Sequence, residues 1–346
     1  MRIFGVLCLV LLVCWNVRSC SARTALPKLE TTRKFFIFGD SYADTGNTQN
    51  TTAFRFPYGI TFPGKPSGRF SDGFVQTDVI ASRVLHVASP PAYATLLANT
   101  STSISSGMNY AVGGSGVTYA FGLPTLQTQV QWFSQMVKAG AFTPADLKKA
   151  VFLVSVNGND YGAYNGTLEN YYLLVPEVVD LIDLGMRELY SLGARNFMVS
   201  SLAPLDCLPS ASRPSGFKAC GKNSTIESVL SSHNFLLGRK LVKFIKHQKG
   251  SNVVYLQQTK AIRHIQKNLP EFNLTEAFKP CCNGLCAEVD AGGSPLYELC
   301  QNPGLHMFWD NVHPSQAGWN AVVDLYQHGF TRFSPSLNAW IDGLCK

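Results

Sequence analysis

Short apolar runs recur along the chain, and between them the apolar positions fall three and four residues apart. The runs at Lys34–Phe38, Ala150–Val156, Asn196–Ser201 and Asn252–Leu256 each end in polar or turn residues and read as short buried strands. The intervening spacing predicts helices. Asp72–Leu85 carries apolar residues at Phe74, Val75, Val79, Ile80 and Val84, and Leu126–Ala139 shows the same period with Gly140 as its cap. Pro176–Leu192 is stopped by Gly193, Ser224–Lys246 is long and amphipathic, and Ser315–Tyr326 closes the series. Thr100–Ser106, rich in Ser and Thr, reads as a surface loop. Strand-then-helix alternation implies a parallel sheet covered on both faces, a three-layer α/β/α sandwich of the α/β class. In such sheets reactive groups collect at the carboxyl ends of the strands, so motifs that follow a strand carry the most weight.

The first residues break this pattern. Arg2, the uncharged apolar stretch Ile3–Trp15 and the small residues Ser19–Ala22 are the parts of a secretory signal peptide spanning residues 1–22. A membrane span needs about 20 apolar residues, more than this run offers, and no later stretch approaches that length. Residues 23–346 are then the mature chain, a single domain.

Composition supports a large folded core. Hydrophobic residues make up 46% of the 346 and charged residues 15%, which excludes a disordered chain. The net charge of +7 is scattered, with no run of five Lys/Arg, so nucleic acid is not an expected partner.

Export changes the reading of the cysteines. Cys8, Cys14 and Cys20 leave with the signal, and Cys207, Cys220, Cys281, Cys282, Cys286, Cys300 and Cys345 remain. An oxidising compartment pairs such residues. Cys207–Cys220 is a plausible local loop, the connectivity of the 281–300 group stays open, and the odd number leaves one thiol over. A zinc site in that group is the minor alternative. Sequons at Asn50, Asn99, Asn165, Asn223 and Asn273 fit a secreted chain carrying N-glycans.

Four segments carry candidate chemistry. Gly39-Asp40-Ser41 directly follows the first strand, where a turn exposes the serine; the bland alternative is a serine that merely caps a helix. Asp310 and His313, in Trp309-Asp310-Asn311-Val312-His313-Pro314, are spaced so that the carboxylate accepts from the imidazole Nδ1–H and frees Nε2 to take a proton. His306, Asp310 and His313 also stand at a metal-like spacing, but Pro314 opposes a continuous helix there and no further ligand is evident. Asn109–Gly116 is a glycine-rich turn able to present free N–H groups, and it does not fit the dinucleotide fingerprint. Asn157-Gly158-Asn159-Asp160-Tyr161 follows the second strand, where an Asn amide can face a developing oxyanion or simply make an Asx turn.

In their order, these four blocks resemble the plant-type GDSL esterase/lipase family of the SGNH hydrolase superfamily, from about Lys34 to the end of the chain. The resemblance implies an SGNH-hydrolase-like fold and a carboxylic ester hydrolase that needs no cofactor and no metal. It implies Ser41 as nucleophile, His313 as general base and acid, and Asp310 as the orienting carboxylate. The Ser41 N–H, the Gly114 N–H and the Asn159 side chain would form the oxyanion hole, with Gly113 the adjacent alternative to Gly114. One position departs from the motif: Asn157 stands where relatives usually carry Gly or Ser, and it removes no reacting group.

The expected partner is a small-molecule or polymeric ester. Phe54, Phe56, Tyr58, Phe62 and Phe70 either line an acyl channel or pack in core and loops. Three rivals are distinguishable. An acyltransferase would pass the same acyl group to an alcohol, which product analysis with a competing acceptor detects. A binding or defence glycoprotein with vestigial activity would have a Ser41 that never labels. A metallohydrolase would lose activity to a strong chelator.

Overall fold

The computed structural model describes residues 33–118, 120–164 and 167–344. Residues 1–22, with the expected signal peptide and Cys8, Cys14 and Cys20, lie outside the described residues, as do Asn165 and Cys345. The strands are β1 (Phe35–Gly39), β2 (Gly107–Asn109), β3 (Val151–Ser155), β4 (Asn196–Ser200), β5 (Asn252–Leu256), β6 (Cys282–Val289), β7 (Pro295–Leu299) and β8 (Thr331–Arg332). The helices before β4 are α1 (Gln76–Arg83), α2 (Tyr93–Ala98), α3 (Leu126–Lys138), α4 (Pro144–Lys149), α5 (Asn159–Gly162) and α6 (Leu168–Ser191). After β4 come α7 (Pro209–Ser212), α8 (Ser224–His247), α9 (Gln258–Lys267), α10 (Gln316–His328) and α11 (Leu337–Gly343).

The main sheet runs β2-β1-β3-β4-β5-β8, parallel throughout except for the antiparallel edge strand β8. Both faces are covered, as the alternation within β1 requires. Phe36 and Phe38 point into a core with Phe133 of α3, Val178 and Ile182 of α6 and Leu237 and Phe244 of α8. Phe35 and Ile37 point the other way, against Val79 of α1, Ile262 of α9 and Trp319 of α10. Successive strand side chains face opposite sides, so a strand apolar at every position is buried twice. This is the expected three-layer α/β/α sandwich.

The four expected strands stand within a residue or so of their predicted limits. Three helices also match closely. Gly140, at φ +75, follows the α3 cap; Asn223 caps α8; and the Ser315 side chain accepts from Gly318 N–H at the start of α10. Two helices differ. α1 starts at Gln76 rather than Asp72, because Val75 is extended at ψ 177 and Asp78 accepts its N–H at 3.0 Å. α6 starts eight residues before Pro176 and runs through it. A proline inside a helix removes one hydrogen bond, but Thr167 caps the new start and Tyr171, Leu174, Val175 and Val178 bury one continuous face.

The β6–β7 hairpin is a separate two-stranded sheet. Disulfides join Cys207–Cys220, Cys281–Cys300 and Cys282–Cys286. These sulfurs are covalently paired, so the zinc alternative has no free thiolates here. The hairpin grips the segment carrying Asp310: Cys281 N–H donates to Phe308 O at 3.1 Å and Cys282 N–H to Trp309 O at 2.7 Å.

Candidate active site

Three of the four motif blocks leave the carboxyl ends of three neighbouring strands, β2, β1 and β3, and so meet side by side. Gly39 ends β1 at φ +144, and a Cβ there would lie 2.0 Å from Ser155 O, so only glycine lets β1 turn this close to β3. The turn is closed by Asp40 O, which accepts from Ala43 N–H at 3.0 Å and Asp44 N–H at 2.9 Å. Ser41 projects from it and is 8% exposed. The Gln129 amide of α3 holds the Gly39 peptide from behind at both N and O, each at 2.8 Å.

The fourth block comes from the loop before α10. His313 Nε2 lies 2.8 Å from Ser41 Oγ, and His313 Nδ1 lies 2.7 Å from Asp310 Oδ2. Asp310 Oδ1 also accepts Val312 N–H at 2.9 Å and His313 N–H at 2.8 Å, which closes the loop and fixes the carboxylate. Tyr42 donates its hydroxyl to Val312 O at 2.6 Å, tying the serine turn to the histidine loop across 270 residues of sequence. His306 takes no part: its Nδ1–H donates to Lys279 O at 3.0 Å, so the metal-like spacing does not become a cluster.

Gly114 and Asn159 face the same cavity as Ser41 and His313. Among the described residues no acceptor reaches the N–H of Ser41 or of Gly114, whereas Gly113 N–H is taken by Asp44 Oδ2 at 2.9 Å. Asn159 donates one of its two amide hydrogens to Ser115 O at 2.8 Å, which aims the amide. Gly158, at φ +111, makes the turn that delivers it.

Several residues to which the sequence alone assigns no role build this frame. Asp44 gathers the N–H groups of Gly46 and Asn47, each at 2.7 Å, besides that of Gly113. Asp160 does the same for Val117 and Thr118 at 3.0 and 2.7 Å, fixing the bend beside Asn159. A buried acidic residue ringed by N–H groups leaves no mark on hydropathy, and only its position inside a motif block could have pointed to it.

Tyr58 is the most consequential addition. Its hydroxyl donates to Asp310 Oδ2 at 2.7 Å, the oxygen that also faces His313. Burial and the adjacent Asp310 charge push the phenol well above its usual range, so it stays a donor. Burial alone would raise the Asp310 carboxyl. The His313 charge and hydrogen bonds from His313, Val312 N–H and Tyr58 outweigh it and hold the carboxyl below the usual range. A hydrogen bond to a buried charge contributes about 1.5–3 kcal/mol. Tyr58→Phe is therefore expected to lower kcat about tenfold; a steady-state kcat within twofold of the parent would refute this role.

Of the aromatics near the first block, Phe70 lines the cavity and its ring lies 5.1 Å from that of His313. Tyr58 is buried behind Asp310, and Phe56 points to solvent at 63% exposure. The cavity, about 490 Å³, takes its polar lining from Ser41, His313 and Asn159 together with Asp40, Asn157 and Ser210. Its other walls are Phe121, Tyr161, Tyr171, Leu205, Leu208 and Ile226. That combination suits an apolar group bound beside a reacting carbonyl. Tyr161 is held by the buried His233, whose imidazole burial pushes down to about 3 and so keeps neutral.

Comparison with known proteins agrees with the motif order. The family model described as GDSL-like Lipase/Acylhydrolase matches residues 35–325. A GDSL esterase/lipase of Arabidopsis thaliana is 38% identical over 313 residues, 85% of this chain and 88% of the relative. A second from that plant is 37% identical over 86% of this chain and 87% of its own length. Acetylajmalan esterase 2 of Rauvolfia serpentina is 30% identical over 83% of this chain and 87% of its own length. The chain thus belongs to the GDSL-like lipase/acylhydrolase family.

Proposed function

We propose that this protein is an exported serine hydrolase of carboxylic esters, with Ser41 as nucleophile, His313 as base and acid and Asp310 as the orienting carboxylate. The observation that carries the reading is the continuous contact from Ser41 Oγ through His313 to Asp310, at 2.8 and 2.7 Å. Ser41 Oγ attacks the ester carbonyl as Nε2 takes its proton. The Ser41 and Gly114 N–H groups and the Asn159 amide receive the developing oxyanion. His313 then protonates the departing alcohol, leaving an acyl-enzyme. Water, deprotonated by His313, attacks that ester and releases the acid and a free Ser41. The sequence of steps calls on no cofactor and no metal.

The oxyanion assignment makes a separate prediction. Losing one such donor typically costs about 3 kcal/mol of barrier. Asn159→Ala is expected to lower kcat by about 100-fold or more with KM little changed, and equal losses in kcat and 1/KM would point to substrate binding instead.

The apolar walls favour an acyl group over a charged one. A panel of nitrophenyl esters from two to sixteen carbons tests this, and a peak at intermediate or long chains is the expected profile. Activity confined to the acetyl ester would place the specificity on the alcohol side. Export to the apoplast or cell wall rests on the 1–22 segment and the three disulfides. No helix among the described residues is long and apolar enough to cross a membrane. Asn50, Asn99, Asn223 and Asn273 are all exposed, which suits N-glycosylation.

A further inference from the structure

Asn157 stands just before the Gly158-Asn159-Asp160 core, where the sequence already departs from the motif, and the reaction as derived does not use it. Its surroundings are specific. The Asn157 N–H donates to Asp40 Oδ2 at 2.5 Å, and its Nδ2 donates to Asp40 Oδ1 at 3.2 Å, so one residue holds both oxygens of the carboxylate beside Ser41. The same Nδ2 donates to Ser155 Oγ at 2.9 Å. Ser155 Oγ donates to Gln76 Oε1 at 3.1 Å, Gln76 Nε2 to Gln258 Oε1 at 3.3 Å, and Gln258 Nε2 to Asn157 Oδ1 at 2.6 Å. These four side chains, from α1, β3, α9 and the loop after β3, close a ring in which every member donates in the same sense. All four are buried.

The ring has a direction because of Asp40. A carboxylate only accepts, so the Asn157 amide must present Nδ2 to it and Oδ1 to Gln258. A buried ring whose members are all satisfied is rigid, since turning any one amide leaves a donor facing a donor. Asp40 receives a third N–H, from Tyr42 at 3.1 Å, and its own carbonyl closes the serine turn. The turn thus hangs on a carboxylate whose geometry Asn157 sets.

We propose that Asn157 is a positioning residue for the nucleophile: through Asp40 it fixes where Ser41 Oγ and the Ser41 N–H point, and Gln258 and Gln76 fix Asn157. This deepens the serine-hydrolase reading and rests on Ser41 being the nucleophile. Burial, acting against hydrogen bonds from Tyr42 and Asn157 and the His313 charge, pushes the Asp40 carboxyl up to about 6. The carboxylate therefore depends on those donors for its charged form near neutral pH. The ionisable groups facing it are His313 and Tyr42, with Asp310 beyond His313. The side chains reaching the ring from α1, β3 and α9 are uncharged.

Three variants of the full chain test this against p-nitrophenyl butyrate and a fluorophosphonate. Asn157→Gly removes the side chain but keeps the N–H. Misplacing a reacting group by a fraction of an ångström is costly, so kcat and the Ser41 labelling rate should fall together by about tenfold, with KM within twofold. Gln258→Met cuts the ring at a residue outside the cavity and should reproduce part of the kcat loss with KM unchanged.

Asn157→Asp keeps the size and the Gln258 contact but sets a carboxylate against Asp40. Two such groups share a proton, and its gain restores the link. Activity relative to the parent should therefore rise severalfold from pH 8 to pH 5. Melting curves establish that each variant is folded.

Unchanged kcat and labelling in Asn157→Gly, a change confined to KM, or a pH-independent ratio for Asn157→Asp would each overturn the proposal. If Asn157→Gly does not fold, the pH ratio of Asn157→Asp decides. An active Ser41→Ala would instead defeat the nucleophile assignment itself.

Discussion

Replacing Ser41 with alanine is expected to lower kcat by about 10⁵-fold, leaving a folded protein with its cavity intact. The substitution removes one oxygen from a nearly buried turn, and the contact it deletes is the one to His313 Nε2. The turn does not depend on that oxygen, because Asp40 O closes it through backbone N–H groups. The melting temperature should therefore move by no more than a few degrees. What survives is the rate contributed by binding and by oxyanion donors, which is about 10³–10⁴ over water in enzymes of this type. Steady-state kinetics on p-nitrophenyl butyrate, at enzyme concentrations high enough to see single turnovers, measures the loss. Retention of even one part in a hundred of the parent kcat would show that another group attacks the ester.

Asp310→Asn should cost about 10⁴-fold in kcat while conserving shape. The asparagine can orient Oδ1 toward the Val312 and His313 N–H groups, as the loop requires. Its Nδ2 then faces His313 Nδ1 and Tyr58. The imidazole must turn its Nδ1 lone pair to that amide and carry its proton on Nε2, against Ser41. In that tautomer it cannot take the serine proton, and the imidazolium formed in the transition state loses its counter-charge.

A stability signature accompanies this. The Asp310 carboxyl is held below its usual value, so its contribution is present above about pH 4 and is lost as pH falls through the folded-state value. The variant should lack that component of acid sensitivity. A kcat within tenfold of the parent would remove Asp310 from the mechanism, and an unchanged acid branch of the melting curve would contradict its electrostatic role.

The sheet and most of its helices are legible in the sequence because burial imposes period. Phe35–Phe38, apolar at every position, admits a strand buried on both faces, and the helical spacing of α3, α8 and α10 is equally plain. Elements held by something other than period are not legible. β2 has three residues, and its place comes from pairing with β1. β6 and β7 are shaped by two disulfides and a bulge between Gly284 and Val289. The start of α6 depends on a cap and a buried face that outweigh Pro176.

The same division holds at the site. Ser41, Asp310, His313, Gly114 and Asn159 could be named because short blocks mark them, and they line or adjoin one cavity. Tyr58 could not be assigned, since its contact with Asp310 spans 252 residues. Asn157 was visible only as a departure from the motif. Its ring with Ser155, Gln76 and Gln258 assembles from three elements whose sequences give no sign of facing one another.

Covalent capture reads out whether Ser41 attacks the substrate. The protein from a eukaryotic secretory host would be treated with a fluorophosphonate, digested and mapped by mass spectrometry, beside Ser41→Ala. One phosphonylated residue is expected, Ser41, labelled in step with loss of esterase activity, with no label in the variant. Labelling at another residue, or none in a folded and esterase-active sample, would contradict Ser41 as the nucleophile.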